Sequence, residues 1–378
     1  MSENPIYLDH NGTTPIAREV ADAMWPYLTE RFGNPSSATP AGRLAKDAVE
    51  TARAQVAALI GAEPDEVFFT SGGTESNNLA IRGAAALAGT RVGVASVVEH
   101  PATVQPLARL EAAGWSVHRL GVDREGRVDA AGVSSAGAVG IGTLILAQNE
   151  VGTIQPVAAV AEAVHAAGGV MHADAAQALG KIEVSVDDLG VDLLSVAGHK
   201  LYAPKGVGAL YVRRGVRIEP LLVGAGQERG LRPGTENVAS IVGLGRAAEL
   251  ALDALAAEPA RQTALRELLW QELAAGIPGL VRVSPADGCL PNTLMVAVPG
   301  RLGSDVLDAA PSVAASTGSA CHAGVRTPAS TLLAMGIDPD LAMGALRLTL
   351  GRSTTEADVR TAAHALAAAA RTAPTASL

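Results

Sequence analysis

Cysteine is almost missing from this 378-residue chain: only Cys289 and Cys321 occur. Two thiols make no disulfide framework, and no Cys-x-x-Cys or other zinc-ligand spacing is present, so no metal is expected and each thiol is judged singly. A reducing cytoplasm suits such a chain. Aromatic residues are 3% of the sequence. Basic residues are outnumbered, 29 Lys and Arg against 38 Asp and Glu, for a formal charge of −9. That balance speaks against the clustered basic footprint of a nucleic-acid binder. The apolar runs are too short and too interrupted to span a membrane. Met1–Tyr7 has no basic region leading into an apolar core, so no secretory signal is expected. There is no internal repeat, no Walker loop and no Gly-x-Ser-x-Gly elbow.

What is present is Ala and Gly in quantity, suited to helices packed tightly on a sheet. The length allows a large core and predicts two domains. Helical patterns cover Ala17–Leu28 and a stripe of Leu44, Ala48, Ala52, Val56 and Leu59. Short apolar runs read as strands at Val67–Thr70, Val92–Val98, Leu144–Ala147, Val170–Ala173 and Leu193–Val196, with an antiparallel one at Gly208–Val212. Helical patterns such as Val157–Ala167 alternate with them, which predicts an α/β layer architecture. Helices are also predicted over Ser240–Ala257 and Ala260–Ala275, with a domain boundary at Ala257-Glu258-Pro259. Beyond it comes a smaller mixed domain, a capping box at Thr355 and Asp358, and a frayed tail over Ala369–Leu378.

Polar clusters follow the strands directly. Ser71-Gly72-Gly73-Thr74 opens a helix after Val67–Thr70, a place where backbone N–H groups and the helix dipole favour an anion. Other strand ends carry His100, Asn149, Asp174 with Gln177, and His199 with Lys200. Open α/β sheets bind ligands outside the carboxyl ends of their strands. The stretch SVAGHKLYAPKG (Ser195–Gly206) is the most telling, because a lysine delivered by a buried strand loses its proton more easily than a surface lysine and is fit for Schiff-base chemistry. An aldehyde cofactor with a phosphate tail and a ring nitrogen needs an imine lysine, a carboxylate for the nitrogen, a donor for the ring hydroxyl, a phosphate cup and a group stacked on the ring. Lys200, Asp174, Gln177, the set Gly73, Thr74 and His199, and His100 are candidates for these. Taken singly, each could equally be a helix cap, a surface amide or a satisfied structural histidine.

The segments YLDHNGTTP, GNPSS, TSGGTESNN, VEHPA, QNEVGT, HADAAQALGK, GHKLYAPKGVGALYVRR, GQERGLRPGTEN, STGSACHAG and ALRLTLGRSTT resemble, in order from Tyr7 to Thr355, the cysteine desulfurases. These are pyridoxal-phosphate enzymes related to aminotransferases, with selenocysteine lyases as close kin. The resemblance implies the aspartate-aminotransferase-like fold (fold type I). A large domain, residues 15–256, would hold a mixed, mostly parallel sheet; residues 1–14 and 257–378 would form a smaller α/β domain carrying the cysteine loop. It implies pyridoxal 5'-phosphate as cofactor, with Lys200 as the Schiff-base lysine, Asp174 on the ring nitrogen, His100 stacked on the ring and Gln177 on its hydroxyl. Gly73, Thr74 and His199 would hold the phosphate, joined by Thr235 from the second subunit of a homodimer. Asn149 would serve both cofactor and substrate, Arg347 would pair with the substrate carboxylate as a fork, and Asn34 would lie near the same carboxylate.

By the same resemblance Cys321 is the nucleophile that takes sulfur from L-cysteine as a persulfide, leaving alanine, and a sulfur-acceptor protein of an iron–sulfur or thiolation pathway follows. His100 is a candidate proton shuttle. Ser316–Gly324, rich in small residues, reads as a loop able to bring Cys321 in and out; Cys289 matches no catalytic position and reads as structural. Three letters depart from the pattern. Ala197 replaces a hydroxyl or thiol residue that would touch the phosphate, Gly12 replaces an Ala with no expected consequence, and His322 follows the nucleophile as in selenocysteine lyases. Residues His322–Pro328, in contrast, resemble the long loop of scaffold-serving desulfurases. Cysteine desulfurase, selenocysteine lyase and a non-catalytic binding relative are therefore the readings to separate. A transaminase is disfavoured because it gives Cys321 no task.

Overall fold

The computed structural model describes residues 5–317 and 327–375, together with the backbone of 321–322 and 325–326. Its centre is a seven-stranded sheet in the order Val67–Thr70, Gly208–Val212, Leu193–Ala197, Val170–Asp174, Ile141–Ile145, Val92–Ser96, Ser116–Leu120. Gly208–Val212 runs antiparallel to both neighbours, and the pairs from Leu193–Ala197 to the Ser116–Leu120 edge are parallel. Every residue of Ile141–Ile145, Leu193–Ala197 and Gly208–Val212 is buried, as expected of strands covered on both faces, which read as unbroken apolar runs. The edge strand Ser116–Leu120 is largely solvated and polar. That is why no apolar run marks it in the sequence.

Helices flank the sheet. Pro40–Ile60 packs on Val238–Ala254, and the helices approach closely enough that a Cβ on Gly245 would fall 2.6 Å from the Ala52 Cα. The stripe of Pro40–Ile60 facing the core is Ala45, Val49, Ala52, Val56 and Leu59, whereas Leu44 is exposed. The expected stripe thus begins one residue too early. The strand expected at Leu144–Ala147 spans Ile141–Ile145, and that expected at Val92–Val98 ends at Ser96.

A second apolar cluster surrounds the antiparallel strands Val281–Arg282, Thr293–Ala297 and Ala345–Thr349, backed by the helices Glu258–Gly276 and Glu356–Thr372. Leu8 is fully buried in this cluster, and Ile6–Tyr7 pairs in parallel with Val313–Ala314. The N-terminal segment therefore starts against the C-terminal elements before crossing to the large sheet. Thr355 and Asp358 form the expected capping box. The tail does not fray where expected: the last helix runs to Thr372, with Ala369, Ala370 and Ala373 buried. Alanine there packs closely against the core, so a composition that reads as a weak end is held by burial.

Candidate active site

A cavity of about 610 Å³ opens at the carboxyl ends of the parallel strands, lined by polar groups from chain segments far apart in sequence. On one side, Leu193–Ala197 ends in the short turn Gly198–Lys200. The Lys200 ammonium donates to the backbone carbonyls of Asn11 at 2.5 Å and Gly12 at 2.6 Å. Burial, and then the nearby Arg347 guanidinium, push Lys200 down to about 8. A lysine so placed is partly neutral near physiological pH and able to act as a nucleophile.

Asp174 ends its strand at 4% exposure. One carboxylate oxygen accepts from Asn77 Nδ2 at 2.7 Å and the other from the Ala176 N–H at 3.0 Å. Beneath it a polar ladder crosses three strands: Thr143 Oγ1 lies 2.8 Å from His172 Nδ1, and His172 Nε2 lies 2.9 Å from Ser195 Oγ. Burial pushes His172 down to about 4, so a neutral ring bridges two hydroxyls in a place where an imidazolium would be costly. His172 sits two residues before Asp174 on one strand. Period-two spacing puts both on one face, a signal the sequence carried and the reading above did not use.

His100 caps the helix Pro101–Ala112, its Nδ1 accepting from the Ala102 N–H at 3.1 Å. Burial lowers its pKa. His199 Nδ1 lies 3.1 Å from Thr13 Oγ1, and burial followed by the Lys200 charge pushes this histidine down to about 4. Opposite, Gly72, with φ of 146°, leads into the helix Gly73–Leu87. Gly208 on the adjoining strand has no room for a side chain, since a Cβ would fall 2.7 Å from the Gly72 Cα. Thr74 and Gly73 line the cavity at this helix start, and Ala197 faces them. Glu75 binds the turn to a distant loop, accepting from the Ser71 N–H and from Arg232 Nε, both at 2.9 Å.

Arg347 lines the cavity from the smaller sheet. It donates to Asp9 Oδ1 at 2.8 Å and to the Asn149 carbonyl at 3.2 Å, while its buried Nε has no partner among the described residues. Gly12 is tied to this pair: a Cβ there would fall 2.3 Å from Asp9 Oδ2. The Gly12 letter, read from sequence as inconsequential, gives the Asp9 carboxylate its room.

Gly73, Thr74, His100, Asn149, Asp174, Gln177, His199, Lys200 and Arg347 are brought to this one cavity. Asn34 does not line it; its side chain accepts from the Ser36 N–H in a turn. Thr235 is exposed on the loop after Arg232 and does not line the cavity of its own chain. Cys321 and His322 pair antiparallel with Val325–Arg326 through the backbone, and the side chain expected to be the nucleophile lies outside the described residues. Cys289 donates weakly to the Val151 carbonyl, and burial pushes its thiol up to about 11, consistent with an inert structural thiol.

Sequence reasoning passed over Asn11, Lys181 and Glu99. Glu99 Oε1 accepts from Ser96 Oγ at 2.5 Å and from the Ile145 N–H at 3.1 Å, and its other oxygen is buried without a partner among the described residues. Burial, partly offset by the Ser96 bond, pushes Glu99 up to about 8. The folded protein thus keeps a proton on Glu99 that the unfolded chain sheds near its ordinary value. The stability this group contributes is complete at low pH and is lost as pH rises through about 8. Glu99→Gln, which cannot titrate, is expected to flatten the decline by at least about 1 kcal/mol between pH 5 and 8. Parallel wild-type and variant denaturation curves across that range would refute it.

The family model described as aminotransferase class-V matches residues 6–361. Among curated relatives, the cysteine desulfurase IscS of Dictyoglomus turgidum is 43% identical, covering 94% of this chain and 91% of its own length. The cysteine desulfurase NifS of Azotobacter vinelandii is 42% identical over 94% of this chain and 90% of its own. A solved structure described as a NIFS-like protein superposes with a TM-score of 0.90 at 35% identity, covering 96% of this chain and 98% of that one.

Proposed function

The chain belongs to the aminotransferase class-V family, with the fold type I architecture, and is a cysteine desulfurase; from that premise we propose that it holds pyridoxal 5'-phosphate on Lys200, takes L-cysteine as substrate and passes the sulfur to Cys321. The observation that carries the site assignment is the convergence of a lysine pushed down to about 8, a fixed buried aspartate, two histidines and a helix start on one cavity. That donor set fits the cofactor: a carboxylate for a ring nitrogen, free N–H groups at Gly73–Leu87 for a phosphate, an amine for an aldehyde. The volume lies in the range of small-molecule sites, about 300–1,000 Å³. When bound, pyridoxal phosphate supplies an electron sink for the charge that develops at the substrate α-carbon.

The residues divide the work. Asp174, held by Asn77 and the Ala176 N–H, would keep a ring nitrogen protonated, and His100 at its helix cap would lie against the ring. Thr74, Gly73 and His199 would take the phosphate, His199 as a neutral donor. Lys200 Nζ would remove the proton from the substrate α-carbon. Arg347, which lines the cavity, would bind the substrate carboxylate, the incoming carboxylate taking the place that Asp9 holds on its guanidinium. The Cys321 thiolate would then attack the substrate sulfur. A sulfur–sulfur bond forms as the Cβ–S bond breaks, the electron pair and a proton end on Cβ, and alanine leaves. His100 is the candidate to carry that proton, and Asn149 is proposed to help place the substrate, whereas Asn34, outside this chain's cavity, is given no part in it.

We further propose a homodimer in which Thr235 reaches the partner's phosphate site. The exposure of Thr235 and of the apolar Trp25, Leu28, Phe32 and Val223 supports a covered face. The largest apolar cluster draws all but Leu290 from residues 15–256 and the second draws wholly from residues 1–14 and 257–378, which supports a division at those bounds, with a smaller cluster around Val151 and Met295 bridging them. A cytoplasmic enzyme serving a sulfur-acceptor protein for iron–sulfur or thiolation chemistry completes the reading. Among the described residues no helix is long and apolar enough to cross a membrane, and no cluster of His, Cys, Asp or Glu could hold a metal.

Alanine formation from cysteine and from selenocysteine, with wild type and Cys321→Ala, tests the function. Cysteine turnover is expected to fall at least about 100-fold in the variant, in keeping with loss of a nucleophile. Sulfide released by Cys321→Ala at the wild-type rate would sink the persulfide step. Selenocysteine lyase is the competing reading, favoured by the His322 letter, and a wild type active on selenocysteine alone would establish it.

A further inference from the structure

Lys181 is buried to 8% exposure, yet no carboxylate is among its hydrogen-bond partners. Its ammonium nitrogen donates to Asn11 Oδ1 at 2.9 Å and to Gln177 Oε1 at 2.8 Å. Burying a lysine is costly, and a methionine would fill similar space, so what the position gains is the pair of N–H donors. Both donors go to side-chain amides that border the site. Asn11 is the junction of the region. Its backbone carbonyl accepts from Lys200 and from Gln177 Nε2, and its side chain also bonds Asn292 and Thr293.

The amide of Gln177 could in principle be turned either way. Its neighbours decide the matter by their chemistry. The atom facing the Lys181 donors must accept, so it is the oxygen; the atom facing the Asn11 carbonyl must donate, so it is the nitrogen. One N–H of that nitrogen is used on Asn11 at 3.0 Å. The other remains, and Gln177 lines the cavity. We propose that Lys181 is a positioning residue: by holding the Gln177 oxygen it obliges Gln177 to offer the cavity an N–H donor, matched to an anionic ring oxygen of the cofactor. The inference rests on the cofactor reading above. Without Lys181 the Gln177 oxygen loses its donor, and only the Asn11 carbonyl, which Lys200 also occupies, still holds the nitrogen, so the N–H is presented to the cavity less firmly.

The titratable groups that face Lys181 are Lys200 from the turn after Leu193–Ala197, Arg347 from Ala345–Thr349 and His10 from the N-terminal segment. Burial lowers the lysine's pKa, and a neutral amine still has the two N–H groups both bonds require.

The test follows the visible absorbance of protein loaded with pyridoxal phosphate, from pH 6 to 10, beside the thermal midpoint of the cofactor-free protein. A donor on the ring oxygen favours the deprotonated form of the chromophore, so losing it should raise the midpoint pH of the absorbance change. Lys181→Met is expected to raise it by about one unit, the size of a hydrogen bond to a charged group. Gln177→Leu should do the same, and the double variant no more. Gln177→Glu keeps a partner for Lys181 and swaps the free N–H for an oxygen, so it too should raise the midpoint, and it serves if Lys181→Met does not fold. A Lys181→Met protein that titrates like wild type, or shifts that add in the double variant, would overturn the proposal. So would an unmoved midpoint in Gln177→Glu. A wild type that acquires no visible band would instead remove the cofactor reading beneath it.

Discussion

Lys200→Ala protein is expected to lose turnover by about 10²- to 10⁴-fold, the scale on which a positioned proton-transfer group acts, and to acquire no lysine-linked visible band with pyridoxal phosphate. The loss should be chemical, with the fold retained. Among the described residues the Lys200 side chain bonds only to the carbonyls of Asn11 and Gly12, and the N-terminal segment is held independently by Thr14, whose N–H and hydroxyl both bind the His199 carbonyl. The pH behaviour separates this lysine from a passive one. Its folded-state pKa, about 8, lies below the ordinary lysine value. The cofactor-free wild type should therefore capture pyridoxal phosphate faster as pH rises through about 8. By linkage the depressed value adds stability at high pH that is lost as pH falls through about 8, and Lys200→Ala removes that contribution. Turnover within tenfold of wild type would refute the assignment of Lys200.

The second large effect lies away from the chemistry. The turn Gln227–Gly230 holds two non-glycine residues in the left-handed region, Glu228 with φ of 44° and Arg229 with φ of 54°. Such conformations persist only where surrounding contacts over-determine them. Here the contacts are a buried fork, Arg53 Nη1 and Nη2 each 2.8 Å from a Glu228 oxygen, with the Phe69 N–H donating to the same carboxylate at 2.7 Å. Arg229 adds a bond to the Val67 carbonyl and lies over the Phe68 ring at 3.9 Å. Glu228→Ala leaves Arg53 with the half-exposed Glu50 and the Val67 carbonyl, and Phe69 N–H without its carboxylate. The expected cost is about 3 kcal/mol, the low end for breaking a buried pair because Glu50 remains. Denaturant unfolding at neutral pH measures it, and a loss under about 1 kcal/mol would show that the pair does not hold the loop. Because Arg232 of the same loop grips Glu75 beside Ser71, the variant should also weaken cofactor retention.

How far the sequence could be read depended on where each residue's partners lie. Buried strands announce themselves as apolar runs, so Val67–Thr70, Leu193–Ala197 and Gly208–Val212 were legible to within a residue, and with them the polar letters at their ends. Asp174, His199, Lys200 and the Gly73-Thr74 helix start are candidates on that ground from the sequence alone. The polar edge strand Ser116–Leu120 left no such trace. Nor did the one-residue phase of Pro40–Ile60, where Ala45 and not Leu44 faces inward; alanine and leucine both satisfy the period, and only packing against Val238–Ala254 chooses.

Tertiary structure alone decided the supporting shell. Asn11 and Lys181 meet across 170 positions of sequence, and Asn11 and Asn292 across 281; neither spacing carries a local signal, because such pairings arise only when the N-terminal segment is laid over the lysine turn. Likewise Asp9 pairs with Arg347 across 338 positions, and the absence of a Cβ at Gly12 makes room for that carboxylate. Local patterning determined which side chains end the strands. The path of the chain between the two apolar clusters determined which of them share a cavity, and how much charge each one keeps there.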